Sequence, residues 1–134
     1  MPLGDPCGGE FTYTDEGLPV CISAVTINVS SLQASYDFYT ELLGFRLFDK
    51  EEGKVYLKRG DAVIILRKSE DVGKDTGLYL GVDNPFDLHR RLIDEAVIFI
   101  RDPMNSPIGV YTTFLDPDRN VINAVDKYGK MERP

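Results

Sequence analysis

The chain has 134 residues, of which 43% are hydrophobic, and carries a formal net charge of −7. That length supports one domain with a core of its own. The absence of a long apolar run excludes a membrane-spanning helix, and the acidic balance argues against nucleic acid, whose phosphates demand a basic face.

Residues 1–20 are rich in Gly, Pro and Asp and read as an arm, with a short strand at Phe11–Tyr13. Acidic residues and the lack of an apolar stretch make this arm a poor signal peptide, so a cytoplasmic setting is expected. Cys7 and Cys21 lie outside any C-x-x-C spacing and read as thiols rather than a metal pair. A bridge between them would require an oxidising compartment.

Residues 21–134 read as a single domain built from a repeat, with modules at about 22–67 and 77–126. In the first, Val25, Ile27 and Val29 alternate with Ala24, Thr26 and Asn28, which predicts a strand with one buried face. A helix over Leu32–Leu43 follows, capped by Ser30 or Ser31, with Leu32, Tyr36, Tyr39 and Leu43 on one stripe and Gly44 as the stop. Three strands complete the module, at Phe45–Asp49, Lys54–Lys58 and Ala62–Arg67.

The second module repeats the order. Leu78, Leu80 and Val82 alternate with Gly77, Tyr79 and Gly81, and Asn84-Pro85 opens a helix over Phe86–Glu95. Strands are expected near Val97–Arg101, Val110–Leu115 and Val121–Asp126, with a loop at Asp102–Gly109 and a hairpin turn at Asp116–Asn120. Val25, Ile27, Val29, Tyr36, Tyr39, Leu43, Leu80, Val82 and Leu92 are the predicted core. The fold class is α+β: two βαβββ modules in pseudo-twofold repeat, forming curled mixed sheets around a concave cleft.

Two stretches carry a resemblance. Val29–Phe45 (VSSLQASYDFYTELLGF) looks like the opening helix of the vicinal oxygen chelate superfamily, which includes glyoxalase I, bleomycin-resistance proteins and extradiol dioxygenases. Ser106–Gly109 and Phe114–Asn120 (FLDPDRN) resemble its second signature, P-W-G followed by F-x-D-P-D-G-N. Arg119 stands where the pattern has Gly, and a positive φ there would cost roughly 1 kcal/mol.

The resemblance implies four metal ligands lining the cleft. Carried over, they fall on Ala24, Ile64 or Ile65, Gly77 and Asn123. A transition-metal site needs converging imidazole or carboxylate donors. Ala, Ile and Gly have none, so no metal, no cofactor and no catalytic residue is expected.

Other chemistries find no support. His89, the single histidine, sits mid-helix, where a solvated or boundary role is the simplest reading. Asp116 and Asp118 shape a turn rather than hold a cation, and no G-x-S-x-G or phosphate loop is present.

The cleft that remains is lined by Ala24, Thr26, Asn28, Arg67, Gly77, Tyr79, Tyr111 and Asn123. Tyrosine faces offer stacking, and Thr and Asn offer neutral hydrogen bonds. The expected function is metal-free binding of an apolar or aromatic small molecule, as the resemblance to the bleomycin-resistance branch implies. The alternatives are a glyoxalase-related lyase or isomerase with a non-standard site, and a regulatory or scaffolding dimer. A homodimer is expected, because related chains complete their clefts across a twofold and each module leaves sheet edges exposed.

Overall fold

Apolar alternation along the first strand commits one of its faces to a core, and the rest of the first module closes over that face. The computed structural model describes residues 17–19 and 21–126; the strand expected at Phe11–Tyr13 lies outside them. The elements are β1 (Ala24–Val29), α1 (Leu32–Asp37) continuing into a π-helical turn (Phe38–Leu42), β2 (Arg46–Glu51), β3 (Lys54–Arg59) and β4 (Ala62–Lys68). The second module comprises β5 (Asp75–Val82), α2 (Pro85–Asp94), β6 (Phe99–Ser106), β7 (Gly109–Leu115) and β8 (Val121–Asp126).

Each module forms a four-stranded sheet, in the orders β1-β4-β3-β2 and β5-β8-β7-β6. In both, the first strand runs parallel to the last and the remaining pairs are antiparallel. The repeat is therefore exact in topology. The two sheets are curled and do not close on each other.

Ser31 is the N-cap of α1, its Oγ accepting the Ala34 N–H at 3.1 Å. The helix differs from the single α-helix expected over Leu32–Leu43. Its last part widens to a π-turn that ends with the Phe45 N–H donating to the Tyr39 carbonyl at 3.0 Å. Phe38 and Tyr39, which open the wider turn, are both buried, while Leu43, which follows it, is only half-buried. At α2, the Asn84 side chain accepts from the N–H groups of Phe86 and Asp87, as its position before Pro85 predicts.

One expectation is overturned. Asp102–Gly109 is not a loop; β6 runs through Asp102 to Ser106. Pro103 misled the reading, but β6 is an edge strand and its register shifts between Arg101 and Met104. A proline that donates no ladder hydrogen bond is tolerated at such a place.

The core joins Ile27, Val29, Tyr39, Leu57, Ile64 and Leu66 of the first module to Leu92, Phe114, Ile122 and Ala124 of the second. Val25, Tyr36, Leu43, Leu80 and Val82, expected to be fully buried, pack against this cluster but keep some exposure.

The turn Asp116–Asn120 clasps the modules together. Buried Asp116 accepts the Tyr39 hydroxyl at 2.9 Å and the backbone N–H groups of Asp118 and Asn120 at 2.9 Å each. Asn120 reaches the other way: its Nδ2 donates to the Asn28 carbonyl at 2.9 Å and its Oδ1 accepts from the Gly73 and Lys74 N–H groups. Asp118 accepts from the Ser30 N–H at 2.9 Å and from the Ser30 hydroxyl. These aspartates are thus consumed by the fold, as the turn reading of them expects. Burial first, and the Asp116 charge second, push the Tyr39 hydroxyl well above its ordinary pKa. Arg119 does adopt φ +67°, the left-handed conformation for which the family pattern supplies glycine.

Cys21 is disulfide-bonded, which corrects the reading of it as a thiol; Cys7 lies outside the described residues. Among the described residues no helix is long and apolar enough to cross a membrane.

Candidate functional site

Parity along each strand decides which side chains share a face. On the first sheet, Ala24, Thr26 and Asn28 pair in register with Val63, Ile65 and Arg67. That face lies opposite the core face that carries Ile27, Ile64 and Leu66. Of the two aliphatic candidates for the second ligand position, Ile65 therefore belongs to the cleft face and Ile64 to the core. Arg67 is held there, its Nε donating to Asn28 Oδ1 at 2.9 Å, while Asn28 Nδ2 donates to the Asp71 carbonyl at 3.1 Å.

The second sheet brings together Tyr79, Tyr111 and Asn123. Tyr79 pairs in register with Asn123, Asn123 with Thr113, and Thr113 with Arg101. The Tyr79 and Tyr111 rings stand 6.2 Å apart, inclined by 32°. Arg101, absent from the sequence-level site, packs its guanidinium 4.9 Å from the Tyr111 ring centroid and donates to Thr113 Oγ1 at 2.7 Å. Thr113 in turn donates to Asn123 Oδ1 at 2.7 Å, and Asn123 Nδ2 donates to the Leu78 carbonyl at 3.2 Å. Arg101 was missed because plain alternation from Phe99, which packs on the core, puts it on the core face, whereas the register shift between Phe99 and Arg101 turns it to the face of Thr113 and Tyr111.

Gly77 sits at φ +68° where the β5–β8 register shifts between Asp75 and Leu78. A bulge of this kind selects glycine for its backbone, whether or not a ligand approaches. A Cβ added to Gly77 would meet nothing within 4 Å, so the space above it is open.

The residues at the implied metal positions do not fit a metal. Ala24, Ile65 and Gly77 carry no donor atom, and the carbonyl oxygen of Asn123, only 5% exposed, already accepts from Thr113. Among the described residues no other group of three His, Cys, Asp or Glu side chains converges on a metal-sized point. His89 lies elsewhere, its Nε2 3.2 Å from Asp102 Oδ1 and its ring 4.5 Å from that of Phe99.

No hydrogen bond or ring contact joins the two cleft faces within the described part of one chain. Ala24, Thr26, Gly77 and Tyr79 are all exposed, Tyr79 by 46%. A separate concavity lies away from these faces. A groove of about 930 Å³ lies at the module junction, between the end of the first helix, the β3–β4 turn and the start of α2. Charged side chains rim it, among them Glu41, Arg59, Asp61, Asp83, Asp87 and Arg91.

Solved structures resemble this chain over most of its length. An antibiotic-binding protein, TnmS3, from Streptomyces sp. CB03234 is 27% identical, with 81% of this chain and 96% of that one covered and a TM-score of 0.69. A glyoxalase/bleomycin resistance protein from the same strain is 28% identical, covering 77% of this chain and 97% of its own, with a TM-score of 0.65. A superfamily member from Sphaerobacter thermophilus shares the fold at a TM-score of 0.71 and 24% identity, covering 81% and 98% of the two chains. No curated protein matches the sequence significantly. The family model for the Glyoxalase/Bleomycin resistance protein/Dioxygenase superfamily matches residues 22–124, so the helix, the turn motif and the paired modules are the marks of a chain that belongs to that superfamily.

Proposed function

We propose that this protein binds an aromatic small molecule in a cleft without using a metal. The observation that carries the reading is the half-exposed Tyr79–Tyr111 pair, on a face whose metal-ligand positions hold no donor set. Two ring faces side by side offer an aromatic guest contact area and stacking geometry. Thr26 and the Asn28–Arg67 pair supply polar contacts on the other face. That an antibiotic-binding protein is among the similar structures supports the same direction.

The cleft is completed by a second copy of the chain. β1 and β5 are each an edge strand of their sheet, and both carry site residues. A twofold pairing of these edges would satisfy their backbone groups and lay the first-sheet face of one protomer beside the second-sheet face of the other. The setting we take is cytoplasmic, with the Cys21 disulfide forming under oxidising conditions. Thiol trapping in intact cells tests this, since a Cys21 protected from alkylation there would place the protein in an oxidising compartment.

Titration of fluorescent aromatic polycycles against the purified protein tests the function. Saturable binding that survives a chelator and weakens roughly tenfold in Tyr79→Ala, as the loss of a stacking face predicts, supports the reading. Failure of every polycycle, or binding that vanishes with a chelator and returns with a divalent metal, would overturn it. Gly77→Leu is a poor probe of the cleft, because φ +68° would strain any side chain placed there.

A further inference from the structure

We infer that Arg101 makes the cleft selective for aromatic ligands bearing an anionic group, with Thr113 and Asn123 as its positioning residues. The inference rests on the cleft reading above and adds the ligand's charge to it.

The argument begins with an uncompensated charge. A guanidinium stays protonated at any working pH and carries five N–H donors. The contacts of the Arg101 side chain are one hydrogen bond, to Thr113, and the face of Tyr111. Among the described residues no carboxylate lies within ion-pair distance of it. The adjacent Asp102 bonds His89 instead. A half-buried cation without a counter-ion is costly to keep, and an incoming anion relieves that cost.

The guanidinium is also aimed. Thr113 Oγ1 accepts from Arg101 and donates to Asn123, whose own amide is anchored on Leu78. The relay runs through all four strands of the sheet, β6 to β7 to β8 to β5. It occupies one nitrogen of Arg101 and leaves the rest of the fork beside the Tyr79–Tyr111 platform. A ligand that stacks on those rings would bring a carboxylate or phenolate at its edge within reach of the fork, where a charge-assisted pair is strongest.

A matched set of anthracene probes tests this: the 2-carboxylate, the neutral 2-carboxamide and the 2-methylammonium. The expected order is carboxylate tightest, by about tenfold over the carboxamide, with the ammonium weakest. Arg101→Gln keeps a donor for Thr113 but no charge. It should abolish the carboxylate preference, bringing the carboxylate and carboxamide affinities within about twofold of each other. Thr113→Val should shrink the same preference, and raising the salt should weaken the carboxylate but not the carboxamide. Equal binding of carboxylate and carboxamide by the parent, or equal weakening of both by Arg101→Gln, would overturn the inference and leave the cleft reading standing. If none of the three probes binds the parent, both fall together.

Discussion

Replacing Tyr39 by Phe removes one hydroxyl and tests whether the clasp at Asp116 holds the modules together. The ring stays, so its contacts with Phe38 and Phe45 persist. Asp116 keeps the two backbone N–H donors on Oδ1 and the Asn120 amide on Oδ2 at 3.0 Å, and so is weakened rather than orphaned. Loss of one hydrogen bond to a charged acceptor costs about 1.5–3 kcal/mol. The variant should therefore be roughly 2 kcal/mol less stable at pH 7, read as a lower urea midpoint by circular dichroism at an unchanged slope. The pH dependence gives a second handle. Because burial and the Asp116 charge raise the folded pKa of Tyr39, its contribution is fully present below the unfolded tyrosine value of about 10. Above that value the unfolded chain ionises first, and parent stability should fall by up to about 1.4 kcal/mol per pH unit more than that of Tyr39→Phe. The gap between the two proteins should narrow as the pH rises above about 10. A difference below about 0.5 kcal/mol at pH 7, or a gap that stays constant from pH 9 to 11.5, would refute the clasp argument.

Other perturbations follow from particular contacts. Ser35 is buried on α1 with a hydroxyl that has no partner, so Ser35→Ala should raise stability by about 1 kcal/mol in urea titration. Arg119→Gly and Ala96→Gly should each be neutral to stabilising by up to about 1 kcal/mol, since both sites sit at φ near +65°, whereas glycine elsewhere in the chain should destabilise. Leu57→Ala or Leu66→Ala, in the sealed core, should cost about 2–5 kcal/mol and Leu43→Ala clearly less, a ranking that thermal melts can check. Light scattering at tens of micromolar should give twice the 15.0 kDa chain mass; a monomer there would remove the shared cleft but not the fold. Asn123→Glu should bring no metal affinity in calorimetry, because Ala24, Ile65 and Gly77 still offer no donors.

Much of the fold was legible because each element carries a local signal. Val25, Ile27 and Val29 alternate with period two, Asn84 caps ahead of Pro85, and the D-P-D-R-N turn bends as aspartates and asparagine prefer. What was not legible depends on neighbours that sequence spacing does not reveal. The π-turn at Phe38–Leu42 exists because Phe38 and Tyr39 both find partners across the module boundary, on Phe114 and Asp116. The strand through Pro103 required knowing that β6 is an edge. At the site, Tyr79 was found from parity and Asn123 from the resemblance, and both meet Tyr111 on one face. Arg101 was hidden by the β-bulge after Phe99, which alternation does not foresee, and the buried, relay-bound state of Asn123 needed the register of β7 against β8.

The clasp also has a consequence for how the molecule opens. It ties Asn120 to Asn28 and Asp118 to Ser30, pairs 92 and 88 residues apart. Closing so large a loop costs about 4 kcal/mol of chain entropy, whereas within each module the strands pair over far shorter separations. The clasp is therefore the last set of bonds to form and the first to be lost. Slow hydrogen exchange should divide the amides accordingly. Those of Ser30, Gly73, Lys74 and Asn120 should exchange together through a local release of the turn, while Leu57, Leu66 and Ile122 wait for the shared core to open.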